Sequence, residues 1–111
     1  SEMAVEEGGR RVAVLGDMLE LGETAGKLHR ELGKFAAQHR IDDLFALGDL
    51  AAEVAEGGVD GGLPPGRSRI FDSRDALIRE LNSFLMPGDL VLVKGSRGLA
   101  METVVEALGF E

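Results

Sequence analysis

Two short polar segments, each following an apolar run, hold the residues of this chain best suited to chemistry. The first reads Gly16-Asp17-Met18-Leu19-Glu20-Leu21-Gly22 and offers two carboxylates. The second reads Lys94-Gly95-Ser96-Arg97-Gly98 and offers an ammonium, a hydroxyl, a guanidinium and several backbone N–H groups. If it opens a helix, the free N–H groups and the helix dipole there favour an anion. Arg97 can grip a carboxylate or phosphate at two points, which Lys94 cannot. Asp17 and Glu20 can bind a ligand ammonium or orient a reacting group. They can equally be a capping aspartate and a solvated glutamate, and residues 94–98 an ordinary strand-to-helix turn. The segment is not a phosphate loop of the ATPase kind, because G-x-x-x-x-G-K-[ST] spacing occurs nowhere in the chain.

Other chemistries are excluded more firmly. There is no cysteine, so neither a disulfide scaffold nor a thiolate zinc site is available. His29 and His39 are not spaced i, i+4, so no helical metal pair exists. His29 is expected to be a packed or surface histidine, and His39 to sit near a helix C-terminus, where the dipole suits it. Twelve basic against twenty acidic residues give a net charge of −8, which repels phosphate backbones. With no Trp or Tyr to stack on bases, nucleic acid is not an expected partner. No apolar run reaches the ~18–20 residues of a membrane span, and no secretory leader opens the chain. A cytoplasmic location with no membrane partner is expected.

The elements that must position the two segments follow from periodicity. Residues 11–15, 43–47, 69–71 and 90–93 read as short apolar strands, two of them closed by Gly16 and Gly48. A helix over residues 23–40 is expected to bury Leu28, Leu32, Phe35 and Ala36, leaving Lys27, Arg30, Glu31 and Lys34 solvated. Asp49 is placed to cap a short helix that ends at Gly57 and Gly58. Residues 57–68, with five glycines and two prolines, read as a surface connection from which no core is built. Ser73 caps a helix with Leu77, Ile78, Leu81, Phe84 and Leu85 inward. A last helix uses Met101, Val104, Val105 and Leu108. Alternating strands and helices, with strands apolar on both faces, predict an α/β fold. The expected form is a three-layer, Rossmann-like domain with a mostly parallel sheet and helices on both faces. The expected strand order, third-second-first-fourth, sets the two polar segments side by side at the carboxyl ends of their strands, where such folds bind ligands.

The same segments carry a resemblance. Val-Ala-Val-Leu-Gly-Asp-Met-Leu-Glu-Leu-Gly, ending at Gly22, and Val-Leu-Val-Lys-Gly-Ser-Arg-Gly, ending at Gly98, resemble the signatures of the Mur ligases. Within that family they are most similar to the enzymes joining D-alanyl-D-alanine to UDP-N-acetylmuramoyl-tripeptide. His29-Arg-Glu-Leu-Gly33, Phe-Ala-Leu-Gly ending at Gly48, and Met101-Glu102 add to the match. The resemblance runs from about Arg10 to the C-terminus and points to the C-terminal domain of a three-domain ligase. It implies a cytoplasmic, ATP- and Mg2+-dependent parent enzyme of peptidoglycan synthesis. N-terminal and central domains, absent here, would hold the UDP-sugar peptide and the nucleotide. It also implies that this chain alone lacks catalytic residues and is inactive. Lys94, Gly95, Ser96 and Arg97 match the loop that faces the family's active site. They become candidates, with Asp17 and Glu20, for binding the dipeptide or closing the site. The family's domain opens with a strand and helix bearing an Asp-Tyr-Asn-Ala-Asn-Pro-like segment, which residues 1–9 do not match. Residues 1–9 are therefore expected to be a polar lead-in to a domain over 10–111, with an exposed sheet edge that invites self-association.

Two other readings compete. A stand-alone α/β module binding a small anion or nucleotide would use the same 94–98 segment. A receiver-like signalling domain would need clustered acids after the first strand and a supported aspartate after a central one, and neither is apparent.

Overall fold

Val12, Ala13, Val14 and Leu15 have no polar side chain, so a strand built from them is stable where both its faces are covered. The computed structural model describes residues 9–16 and 22–94. In it β1 (Arg11–Gly16) lies inside a parallel sheet, between β2 (Asp43–Leu47) and β4 (Leu90–Lys94). β3 (Ser68–Phe71) pairs with the other side of β2, which gives the expected order β3-β2-β1-β4.

Alternation along the strands divides the core in two. Val12, Val14, Phe45 and Leu47 meet Leu77 and Leu81 of α3 (Arg74–Phe84) on one face. Ala13, Leu15, Leu44 and Ala46 meet α1 (Ala25–Gln38) and α2 (Ala51–Asp60) on the other. Handedness explains the division. Two crossovers step outward from β1 to β2 to β3, and the third doubles back to β4, so right-handed connections put α3 opposite α1 and α2. Ser73 caps α3 as expected, accepting from the Ala76 N–H at 3.1 Å. Leu77 and Leu81 are fully buried, with Ile78, Phe84 and Leu85 partly so.

Three expectations are corrected. First, α1 is rotated from its apolar stripe. Leu32 and Ala36 pack partly against the core as expected, but the helix fully buries His29 and Gly33, while Leu28 is 41% and Phe35 58% exposed. The reason is close packing against α2: a Cβ at Gly33 would overlap the Val54 carbonyl oxygen, and one at Gly57 the Arg30 carbonyl oxygen. Lys27, Arg30, Glu31 and Lys34 are exposed as expected, and Arg30 forms ion pairs with Glu53 and Glu56 of α2 across that crossing. Second, α2 does not stop at Gly57 and Gly58 but runs through both, and they are buried. Leu63, in the presumed coreless connection, packs into the core at 7% exposure. Third, the cap position of α2 is Leu50, which has no side-chain acceptor, rather than Asp49.

The amino ends of the strands are tied by polar contacts that no local pattern announces. The Asp89 carboxylate, nearly buried, accepts from Arg10 Nη2 at 2.7 Å, from the Arg10 N–H at 3.0 Å and from the Met86 N–H at 3.0 Å. The Arg10 guanidinium also donates to the Phe84 carbonyl at 2.7 Å and lies 3.8 Å above the Phe84 ring. Arg69 pairs with buried Asp43 at 3.1 Å and stands 4.8 Å from the Phe45 and Phe84 rings.

Candidate functional site

The parallel register brings the carboxyl ends of all four strands into one row. Lys94 of β4 stands opposite Leu15 of β1, Gly16 opposite Leu47 of β2, and Leu47 opposite Phe71 of β3. The segments that leave β1 and β4 therefore start side by side at the centre of this rim. Leu15 is buried, as a strand residue beneath a helix layer must be, whereas Lys94 is exposed and presents its ammonium to solvent. Of the expected site residues, Lys94 is within the described part of the structure. Asp17, Glu20, Gly95, Ser96 and Arg97 lie outside the described residues.

The neighbouring strand ends complete the described rim. Gly48 leaves β2 with φ 119°, a left-handed conformation that suits glycine. Its N–H donates to the Phe71 carbonyl at 3.2 Å, and its own carbonyl accepts from Ala51 at the start of α2. Asp49 follows in that turn and is exposed. Asp72 and the α3 cap Ser73 follow β3 on the same rim, further from Lys94. The described end of this rim thus mixes charges, with Lys94 at β4, Asp49 after β2, and Asp72 and Arg74 on either side of Ser73.

His29 is 1% exposed, and its Nδ1 donates to the Ala25 carbonyl at 2.6 Å. It is a packed histidine of the first half of α1, as expected of it. His39 ends α1 and stacks on Phe35 with ring centroids 3.8 Å apart. Among the described residues no three of His, Cys, Asp or Glu gather as a metal site would require. No described helix is long and apolar enough to cross a membrane.

Sequence reasoning passed over the residues that set this geometry from the opposite end of the sheet. Asp89 was legible as the last residue of a Pro-Gly-Asp turn. Its hold on Arg10, together with the Leu90 N–H donating to the Arg10 carbonyl at 2.8 Å, fixes β4 against β1 and so places Lys94 beside Leu15. No local signal links two residues that far apart in the chain.

Comparison with known proteins agrees with the geometry. The family model described as "Mur ligase, glutamate ligase domain" matches residues 2–97. A UDP-N-acetylmuramoyl-tripeptide–D-alanyl-D-alanine ligase of Bacillus subtilis is 35% identical over 105 residues, covering 95% of this chain and 23% of the relative. The ligase of the same name from Escherichia coli is 33% identical over 109 residues, covering 96% and 23%. Among solved structures, MurF from Acinetobacter baumannii superposes with a TM-score of 0.78 at 29% identity, over 90% of this chain and 22% of that one. MurF ligase from Thermotoga maritima in complex with ADP gives 0.70 at 26% identity, with the same coverage. The chain thus spans less than a quarter of the length of these relatives.

Proposed function

The chain belongs to the Mur ligase family, and from that premise we propose that it is the C-terminal, closing domain of a cytoplasmic ATP-dependent ligase. The parent joins D-alanyl-D-alanine to UDP-N-acetylmuramoyl-tripeptide in peptidoglycan synthesis. The names of its relatives support that reaction. The observation that carries the domain's role is the pairing of Leu15 with Lys94, which starts the acidic segment after β1 and the basic segment after β4 at neighbouring points.

The chemistry then divides as follows. The tripeptide carboxylate is activated by phosphorylation, and the dipeptide amine attacks the resulting acyl phosphate, releasing phosphate. A free dipeptide carries an ammonium at one end and a carboxylate at the other. Arg97 suits the carboxylate, with Lys94 and the N–H groups of Gly95 and Ser96 beside it. Asp17 or Glu20 suits the ammonium and orients the amine toward the acyl carbon. The chain supplies binding and orientation in this scheme, and by itself is inactive. ATP and Mg2+ belong mainly to another domain of the parent. The phosphate-loop spacing is absent from this sequence, and the described residues gather no acidic metal cluster. The outer edge of β4 has no strand partner among the described residues, which supports self-association of the isolated chain there.

The test uses the parent enzyme. Arg97→Ala should raise KM for the dipeptide or lower kcat, with little change in KM for ATP. Unchanged dipeptide kinetics overturn the assignment. The isolated chain should show no ATPase or ligation activity, and should restore ligation when mixed with the missing domains.

A further inference from the structure

α1 buries a polar ring in preference to the leucine beside it. His29 is 1% exposed, while Leu28, its neighbour in the chain, is 41% exposed. Burying a polar group where an apolar one is available is unfavourable unless the group is hydrogen-bonded. His29 meets that condition: Nδ1 lies 2.6 Å from the carbonyl of Ala25, the first residue of α1. A carbonyl only accepts, so Nδ1 carries a proton, and in the neutral ring Nε2 is an acceptor. His39 makes the same kind of bond to the Phe35 carbonyl from an exposed position, so burial sets His29 apart. The place of the ring follows from the helix stripe. Gly26 faces the Glu53 side chain of α2, and Gly33 faces the Val54 carbonyl. His29, three residues after one and four before the other, shares their face. A helical side chain leans toward the N-terminus of its helix, so the ring covers the first turn of α1.

We propose that His29 is a positioning residue for the dipeptide of the ligation reaction, an inference that rests on the functional reading above. The usual devices at a helix start are missing from α1. Thr24 at the cap position makes no side-chain cap bond, and no acidic residue occupies the first turn. Lys27 there even carries the charge that the helix dipole disfavours. Yet this turn anchors the candidate site. β1 ends at Gly16, and the 3-10 turn Gly22–Thr24 runs directly into α1. The five residues between them, which include Asp17 and Glu20, are therefore tethered to β1 at one end and to α1 at the other. The sheet holds the first tether, where Leu15 pairs with Lys94. The His29 ring holds the second by its bond to Ala25. A leucine of similar bulk would fill the space, but only a donor at Nδ1 ties the ring to the turn it covers. His29 thus sets where the acidic segment returns and acts on the dipeptide through that segment, without touching it.

Kinetics of the parent enzyme separate positioning from packing. Asparagine puts an amide donor where Nδ1 stands, glutamine reaches the Nε2 position instead, and leucine keeps only bulk. His29→Leu and His29→Gln should each raise KM for D-alanyl-D-alanine on the order of tenfold, with KM for ATP and for UDP-N-acetylmuramoyl-tripeptide changed less than about twofold. His29→Asn should stay near wild type. If the Leu variant does not fold, the Gln and Asn variants carry the comparison. Unchanged dipeptide KM in the Gln variant, equal rises for all three substrates, or an Asn variant as impaired as the Gln variant would overturn the proposal. A wild-type parent that does not ligate the dipeptide would overturn the functional reading and this inference with it, whereas unchanged dipeptide kinetics in an active enzyme overturn the inference alone. The chain itself offers a readout independent of activity. It has two histidines, so His39→Gln assigns their ring nitrogen signals in NMR spectra. The neutral His29 ring should carry its proton on Nδ1, and a proton on Nε2 would overturn the proposal.

Discussion

Replacing Asp89 with Ala removes the carboxylate that joins the start of β1 to the start of β4. Its side chain is 4% exposed and it accepts from two Arg10 side-chain nitrogens and two backbone N–H groups. Breaking a fully buried ion pair costs about 3–5 kcal/mol. The Arg10 side chain is 30% exposed, so water takes over part of its solvation when the partner is lost. An expected loss of about 2–4 kcal/mol follows, a large share of the ~5–15 kcal/mol that holds a domain of this kind together. Urea unfolding followed by far-ultraviolet circular dichroism measures it, since the chain has no Trp or Tyr for fluorescence. The pH dependence is a separate check. The hydrogen bond from Arg10 holds the Asp89 carboxyl below its ordinary value, against the opposing effect of burial. A depressed carboxyl contributes stability that is present above the unfolded value, about 3.9, and lost as pH falls through the lower folded value. Asp89→Asn keeps the shape and removes the charge, so its stability should fall less steeply than wild type as pH drops below about 4. A loss under about 1 kcal/mol for the Ala variant, or an acid profile for the Asn variant that matches wild type, would refute the reasoning.

Other consequences are as direct. Gly57→Ala places a methyl group into the Arg30 carbonyl, so the helices must separate. A loss of at least ~1–3 kcal/mol is expected despite alanine's better helix propensity, and a gain in thermal stability would show that the crossing has slack. Ser73→Ala removes the α3 cap and should cost about 1 kcal/mol, whereas Ser73→Asp should be nearly neutral. Equal losses in both Ser73 variants would show that the cap bond is not the cause.

Much of the fold was legible because its signals are local. Valine and leucine runs closed by glycine mark β1 and β2, a Pro-Gly-Asp turn marks the start of β4, and a serine marks the start of α3. Strand order followed from the same information, since right-handed connections leave few arrangements for four alternating units. The candidate site was legible as two loops of opposite charge, and register confirmed that the strands feeding them are neighbours.

Tertiary structure decided what depends on two elements at once. The apolar period of α1 pointed to Leu28 and Phe35, but backbone-to-backbone packing of Gly33 and Gly57 turned His29 inward and left those two outside. A run of glycines read as a helix stop became a helix interface, because a missing side chain weakens a lone helix yet permits close approach of two. Arg10 and Asp89 carry no sign of one another along the chain; only the folded sheet brings them within 2.7 Å and makes their pairing the device that sets Lys94 beside β1.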